Sequence, residues 1–179
     1  MTLSRIVLAG FFSYFLLQNG ICAKITALVI FLLAAFTDYL DGYFAKRLGL
    51  VNDFGKFMDP VADKVLILTA FFMFTQIGFM AGWMFAIIAF REIFITVLRL
   101  RVMLKGKVLA AEAAGKIKTV AQMAAVCAIL SFMIAGEAGS SWIHVLALFS
   151  NWLIILAFIL TVYSGASYLW NNRKEIYVQ

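Results

Sequence analysis

Runs of apolar residues long enough to cross a bilayer recur along the whole chain, and this constrains its fold more than any other feature. Six such stretches fall at roughly 4–17, 25–45, 60–78, 80–101, 118–135 and 148–170. A helix of about 20 apolar residues spans the hydrocarbon core, and most of these lengths fit, the first being short. Of 179 residues, 65% are hydrophobic and 13% charged, more apolar surface than a soluble domain of this size can hide. The expectation is one all-α integral membrane domain of six transmembrane helices. Gly78 and Gly82 punctuate the third connection, and Gly136 and Gly139 the fifth. Ser150-Asn151 suggests a break between an interfacial piece, 141–149, and the last span. Residues 6–17 lack a small-residue cleavage site after them, so they read as a retained span, not a signal peptide. Cys22 and Cys127, far apart and in apolar surroundings, read as packed thiols.

The charges orient the bundle. With six alternating spans, all but Lys24 of the fifteen basic residues fall on one side. By the positive-inside rule that side, with both the N- and C-termini, is cytoplasmic. The net charge of +6 therefore speaks to orientation and anionic lipid, not to nucleic acid. Trp83, Trp142, Trp152 and Trp170 near span ends read as interfacial anchors, and His144, on the outer side, as an interfacial hydrogen-bonding group.

Against this background, five of the nine acidic residues fall in TDYLDGYFAKRLGLVNDFGKFMDPVADK, four of them, Asp38, Asp41, Asp59 and Asp63, at helical spacings. Asp38 and Asp41 are three apart, Asp59 and Asp63 four apart, and both spacings stack side chains on one helix face. An ionisable group at membrane depth costs roughly 2.5–3.5 kcal/mol on insertion scales, so four together point to a site. Asp38, Asp41, Gly42 and Ala45 share one arc of the second helix, and Gly55, Asp59 and Asp63 step along the third, with Pro60 expected in its first turn. A nine-residue link, 46–54, brings the two faces together, and Asp53 reads as a helix N-cap. Converging carboxylates repel unless cations neutralise them. Without a nearby His or Cys, hard ions such as Mg²⁺ or Mn²⁺ are the natural partners, and two of them about 3.5–4 Å apart can clamp a phosphoryl centre. Gly42 and Ala45 leave room for a bulky group such as a nucleotide. The bland alternative is that these aspartates are solvated helix ends or partners of Lys46, Arg47 and Lys64.

The pattern D-x-x-D-G-x-x-A-x(9)-G-x-x-x-D-x-x-x-D over 38–63 resembles the signature of the CDP-alcohol phosphatidyltransferases, with Lys46 where the family usually has arginine. Arg47 follows, but a planar fork and an ammonium are not equivalent. Arg91-Glu92 with Arg99 resembles the R-E-(x)6-R stretch of the family's bacterial phosphatidylglycerophosphate synthases. Gly106–Ala111 and Gly115–Gln122 are similar to their G-K-V-x-A-A and G-K-x-K-T-x-x-Q, and Thr2 and Arg5 match an L-T-x-x-R segment. The likeness runs over about residues 2–135, and the last span is generic.

The resemblance implies a single membrane domain over 1–179, commonly a homodimer in the inner (plasma) membrane and dependent on Mg²⁺ or Mn²⁺. It implies transfer of the phosphatidyl group from CDP-diacylglycerol to sn-glycerol 3-phosphate, releasing CMP. On this basis Asp38, Asp41, Asp59 and Asp63 hold the metals, and Asp63 also serves as general base. Arg5, Asp41, Gly42, Ala45, Lys46 and Gly55 meet CDP-diacylglycerol. The acceptor, a dianion, needs its own cationic pocket, expected from Arg91, Arg99, Lys105, Lys116 and Lys118; ordinary snorkelling to headgroups is the competing account of these cations. Glu92 reads as a partner for a neighbouring cation. The same chemistry with inositol phosphate, serine or phosphatidylglycerol as acceptor stays open. A cation transporter fits less well, because its carboxylates would be spread through the membrane depth.

Overall fold

The computed structural model describes the backbone of residues 2–48, 53–104 and 113–173; the side chains of 2–4, 38–48, 53–63, 103 and 113 lie outside the described part. Among the described residues the fold is all-helical. Six helices follow one another: α1 (Thr2–Leu17), α2 (Ile21–Leu48), α3 (Asp53–Gln76), α4 (Gly82–Leu104), α5 (Ala113–Glu137) and α6 (Ile143–Asn171). Helices α5 and α6 are each long and apolar enough to cross a membrane, with mean hydropathies of 1.9 and 2.5.

Three boundaries differ from the sequence expectation. Helix α6 runs unbroken through Ser150-Asn151, with Ser150 facing the bundle. Neither residue lacks an N–H, and an apolar setting makes uninterrupted intrahelical bonding the cheapest way to satisfy the backbone. For the same reason α2 and α3 extend toward each other, so their link is 49–52 and not 46–54. Pro60 consequently lies well inside α3, beyond its first turn, where a neighbouring-helix environment tolerates it.

Helix ends are closed by two devices. At the end of α3, Gly78 takes φ 82°, the Phe79 N–H donates to the Phe74 carbonyl (2.9 Å), and the Gly78 N–H donates to Thr75 (3.2 Å). At the end of α5, Gly139 takes φ 62°, and the Ser140 and Gly139 N–H groups donate to Ala135 (2.9 Å) and Gly136 (3.2 Å). Both are left-handed glycine caps that satisfy orphan carbonyls. The end of α1 is closed instead by Lys24, whose buried Nζ donates to the carbonyls of Leu16 (2.6 Å) and Gln18 (2.8 Å). A cation at a helix C-terminus is also favoured by the helix dipole, which accounts for the one basic residue expected on the opposite side.

The core is aromatic and small by turns. Phe12 and Phe31 meet with ring centroids 5.9 Å apart, and Phe71, Phe74, Val126, Ile129 and Leu130 complete the packed centre. Helix α6 carries its residues inside out. Ser150, Ile154, Ala157, Thr161, Ser164, Gly165 and Tyr168 face the bundle, whereas Leu148, Trp152, Ile159, Val162 and Trp170 are exposed. Small residues let α6 lie close along α5, its most extensive neighbour, as membrane helices pack. All four tryptophans singled out in the sequence are exposed or flank exposed faces, Trp83, Trp142, Trp152 and Trp170 each being more than half accessible. Cys22 is exposed and Cys127 half-buried, and both are free thiols, so packing describes only the second.

Candidate active site

Helices α1 to α5 enclose a cavity of about 320 Å³. Phe31, Ala34, Ile67 and Met123 give it an apolar side, and Arg5, Lys64, Glu92, Thr119 and Gln122 a polar one. Arg5 is buried, although α1 begins only a few residues before it. The cavity adjoins the aspartate-bearing segments. The backbone at Asp38 is one turn beyond Ala34 on α2, roughly 6 Å along the axis, and Asp63 directly precedes Lys64 on α3.

Glu92 is the centre of the polar wall and is only 1% exposed. Its Oε1 accepts a short hydrogen bond from Lys118 Nζ and another from Gln122 Nε2 (3.3 Å). Its Oε2 faces Lys64 Nζ at 3.3 Å and Arg91 Nη1 at 3.6 Å. One carboxylate thus gathers cations from α3, α4 and α5. A buried ion is tolerated when it is paired and hydrogen-bonded, and both conditions are met here.

Helix α6 supports this wall from behind. Gln122 Nε2 also donates to Thr161 Oγ1 (3.0 Å), which in turn donates to the Ala157 carbonyl (2.6 Å). Arg91 Nη2 donates to Ser164 Oγ (2.8 Å), and Ser164 donates to the Thr161 carbonyl (3.1 Å). Gly165 is where the Arg91 stem crosses α6: a Cβ there would stand 3.0 Å from Arg91 Cγ and 3.2 Å from Nε. The last helix, generic in sequence, therefore carries a specific polar and small-residue step.

The residues expected in the acceptor pocket divide accordingly. Arg91 and Lys118 come together on Glu92. Arg99 lies two turns further along α4, with its guanidinium 5.6 Å from the Tyr168 ring and beside Ile95 and Val102. Lys116 is exposed, and Lys105 lies outside the described residues. Asp38, Asp41, Gly42, Ala45 and Lys46 fall on α2, and Gly55, Asp59 and Asp63 on α3, with their side chains outside the described part. No cluster of three or more His, Cys, Asp or Glu side chains occurs among the described residues. Sequence reasoning left Thr161, Ser164 and Gly165 without a role, gave Gln122 only a place in a motif, and offered Lys64 only as a partner of the aspartates. The signal for the α6 residues was present, as polar and small residues recurring at helical spacing in an otherwise apolar helix.

A model of the CDP-alcohol phosphatidyltransferases matches residues 1–165. The chain belongs to the CDP-alcohol phosphatidyltransferase family. It is accordingly an enzyme, and the segment 38–63 lies within the matched residues. Among its relatives, a CDP-diacylglycerol–glycerol-3-phosphate 3-phosphatidyltransferase of Bacillus subtilis (strain 168) is 39% identical over 154 residues, 86% of this chain and 77% of that protein. A probable phosphatidylglycerophosphate synthase of Mycobacterium tuberculosis (strain CDC 1551 / Oshkosh) is 34% identical over 179 residues, 98% of this chain and 81% of the relative. A CDP-diacylglycerol–glycerol-3-phosphate 3-phosphatidyltransferase of Rickettsia felis is 34% identical over 175 residues, covering 97% of this chain and 93% of its own.

Proposed function

We propose that this family member transfers the phosphatidyl group of CDP-diacylglycerol to sn-glycerol 3-phosphate, giving phosphatidylglycerophosphate and CMP. The observation that carries the reading is the cavity beside the motif helices, with three cations gathered on one buried carboxylate in its wall. A phosphate monoester carries nearly two negative charges at neutral pH, and such a wall suits it. The relatives' names supply the two substrates.

Asp38, Asp41, Asp59 and Asp63 are carboxylates alone, without a histidine or thiol, on two helices joined by a four-residue link. That donor chemistry fits hard divalent ions, Mg²⁺ or Mn²⁺, two of which we assign to them. When bound, the ions supply charge stabilisation to the pyrophosphate and to departing CMP. The chain's own residues do the rest. The acceptor phosphate rests against Arg91, Lys118 and Lys64, with Arg99, Lys105 and Lys116 adding positive potential at the entrance. Arg5, Gly42, Ala45, Lys46 and Gly55 receive the cytidine diphosphate portion beside Asp41. Asp63 takes the proton from the acceptor's primary hydroxyl as its oxygen forms a bond to the β-phosphorus. The bond from that phosphorus to the CMP oxygen breaks in the same displacement, and CMP leaves with the electron pair. No covalent enzyme intermediate is needed.

The whole chain, 1–179, acts as one domain in this reading. All six helices span the inner (plasma) membrane with both termini and the active site on the cytoplasmic side, consistent with the charge asymmetry and the exposed apolar faces of α1, α2, α4 and α6. The protein works as a homodimer in contact with membrane lipid.

The test is CMP release by purified protein given CDP-diacylglycerol and each candidate acceptor in turn. Turnover with sn-glycerol 3-phosphate and none with serine, inositol phosphate or phosphatidylglycerol is expected. Turnover with serine alone would remove the proposal.

A further inference from the structure

Glu92 has no place in the displacement itself, yet it is heavily engaged in the cavity wall. Among the described residues it belongs to no carboxylate cluster, and three cations and an amide engage its oxygens. We infer that Glu92 is the positioning residue of the acceptor pocket, holding Lys64, Arg91 and Lys118 together as one cationic group for a phosphate-monoester dianion. This rests on the assignment of glycerol phosphate as acceptor.

Three observations support the role. First, the charge: three cations contact one carboxylate, so this group of described side chains is cationic and suits a phosphate monoester. Second, the contacts come from separate elements. Lys64 follows Asp63 on α3, Lys118 is on α5 and Arg91 on α4, and no backbone constraint keeps three ammonium or guanidinium groups together. Without the carboxylate they repel, and Lys64, whose side chain is 32% exposed, is free to swing toward solvent. Third, Glu92 is itself fixed. Gln122 bridges it to Thr161, and the neighbouring Arg91 is tied to Ser164, so the carboxylate is referenced to α5 and α6. A group so held pre-orients cations before the acceptor arrives, which lowers the cost of binding.

The experiment uses full-length protein in detergent or nanodiscs with CDP-diacylglycerol, varying glycerol 3-phosphate, and sulfate as a non-reacting dianion probe. Glu92→Gln should raise KM for glycerol 3-phosphate at least tenfold and raise the inhibition constant of sulfate by a similar factor. KM for CDP-diacylglycerol should stay within twofold. Glu92→Asp, which keeps the charge, should recover most of the loss. Because Glu92→Gln leaves Lys118 buried without its counterion, a second variant, Glu92→Gln/Lys118→Met, removes that uncompensated buried ammonium; it should fold and still bind glycerol 3-phosphate and sulfate poorly. Glycerol 3-phosphate and sulfate affinities near wild type in a folded variant, or equal losses for both substrates, would overturn the inference while wild-type turnover leaves the proposed function standing. A wild-type protein that ignores glycerol 3-phosphate would remove both.

Discussion

Removing Glu92 should cost more stability than removing its main partner, and the structure gives the size of the difference. Glu92 and Lys118 are 1% and 2% exposed and directly bonded. In Lys118→Met, Glu92 keeps Lys64 at 3.3 Å and Arg91 at 3.6 Å, so its charge remains compensated. The loss is then about 1.5–3 kcal/mol, that of one hydrogen bond to a charged group. In Glu92→Gln, Lys118 retains no carboxylate among the described residues and stands near two further cations. Breaking a buried pair in that way costs about 3–5 kcal/mol. The double variant Glu92→Gln/Lys118→Met leaves no uncompensated buried charge at that position and should sit within about 2 kcal/mol of wild type, a coupling well above the roughly 0.5 kcal/mol error of additivity. Denaturant titration of the four proteins in one fixed detergent, followed by tryptophan fluorescence, measures the cycle. Additive losses, or a Lys118→Met cost equal to that of Glu92→Gln, would refute the picture of one carboxylate shared among several cations.

Three other outcomes are expected. Gly165→Leu should lower turnover at least tenfold, because its side chain enters the space of the Arg91 stem, where even a Cβ would stand 3.0 Å from Cγ; Gly165→Ala should be milder, since a methyl needs only a small shift and gains roughly 1 kcal/mol of helix propensity. CMP release assays on both, with thermal melts alongside, check this. Asp63→Asn should abolish CMP release in a protein that still folds, and EDTA should silence the wild type until Mg²⁺ or Mn²⁺ is returned. Near-normal turnover in Asp63→Asn would remove the base assignment.

How much could be read beforehand depended on the range of the interaction. The aspartate motif was legible because it is local: spacings of three and four residues fix a helix face, and one short link joins the two helices. Arg91 and Lys118 were singled out through their place in segments resembling the family's, and the fold brings both to Glu92. The interfacial break at Ser150-Asn151 was misjudged because polar residues usually mark connections, whereas here Ser150 faces a helix-packed interior. Glu92 was read as a cation's partner, but which partners other helices bring to this group was not legible. The cross-helix contacts run from 26 positions (Glu92–Lys118) to 73 (Arg91–Ser164), and no periodicity encodes such distances.

The sequence by itself determined the all-helical class, six segments of the right length, and the identity of the motif, since hydrophobic period and residue spacing are one-dimensional properties of a helix. Only the tertiary structure decided which charges meet. It set Lys64, Arg91 and Lys118 on one buried carboxylate, put Arg99 against Tyr168 instead, and gave α6 a specific supporting face. The physical reason is that a buried charge must be neutralised by whatever packing brings within reach, and helix packing, not the order of residues, chooses those neighbours.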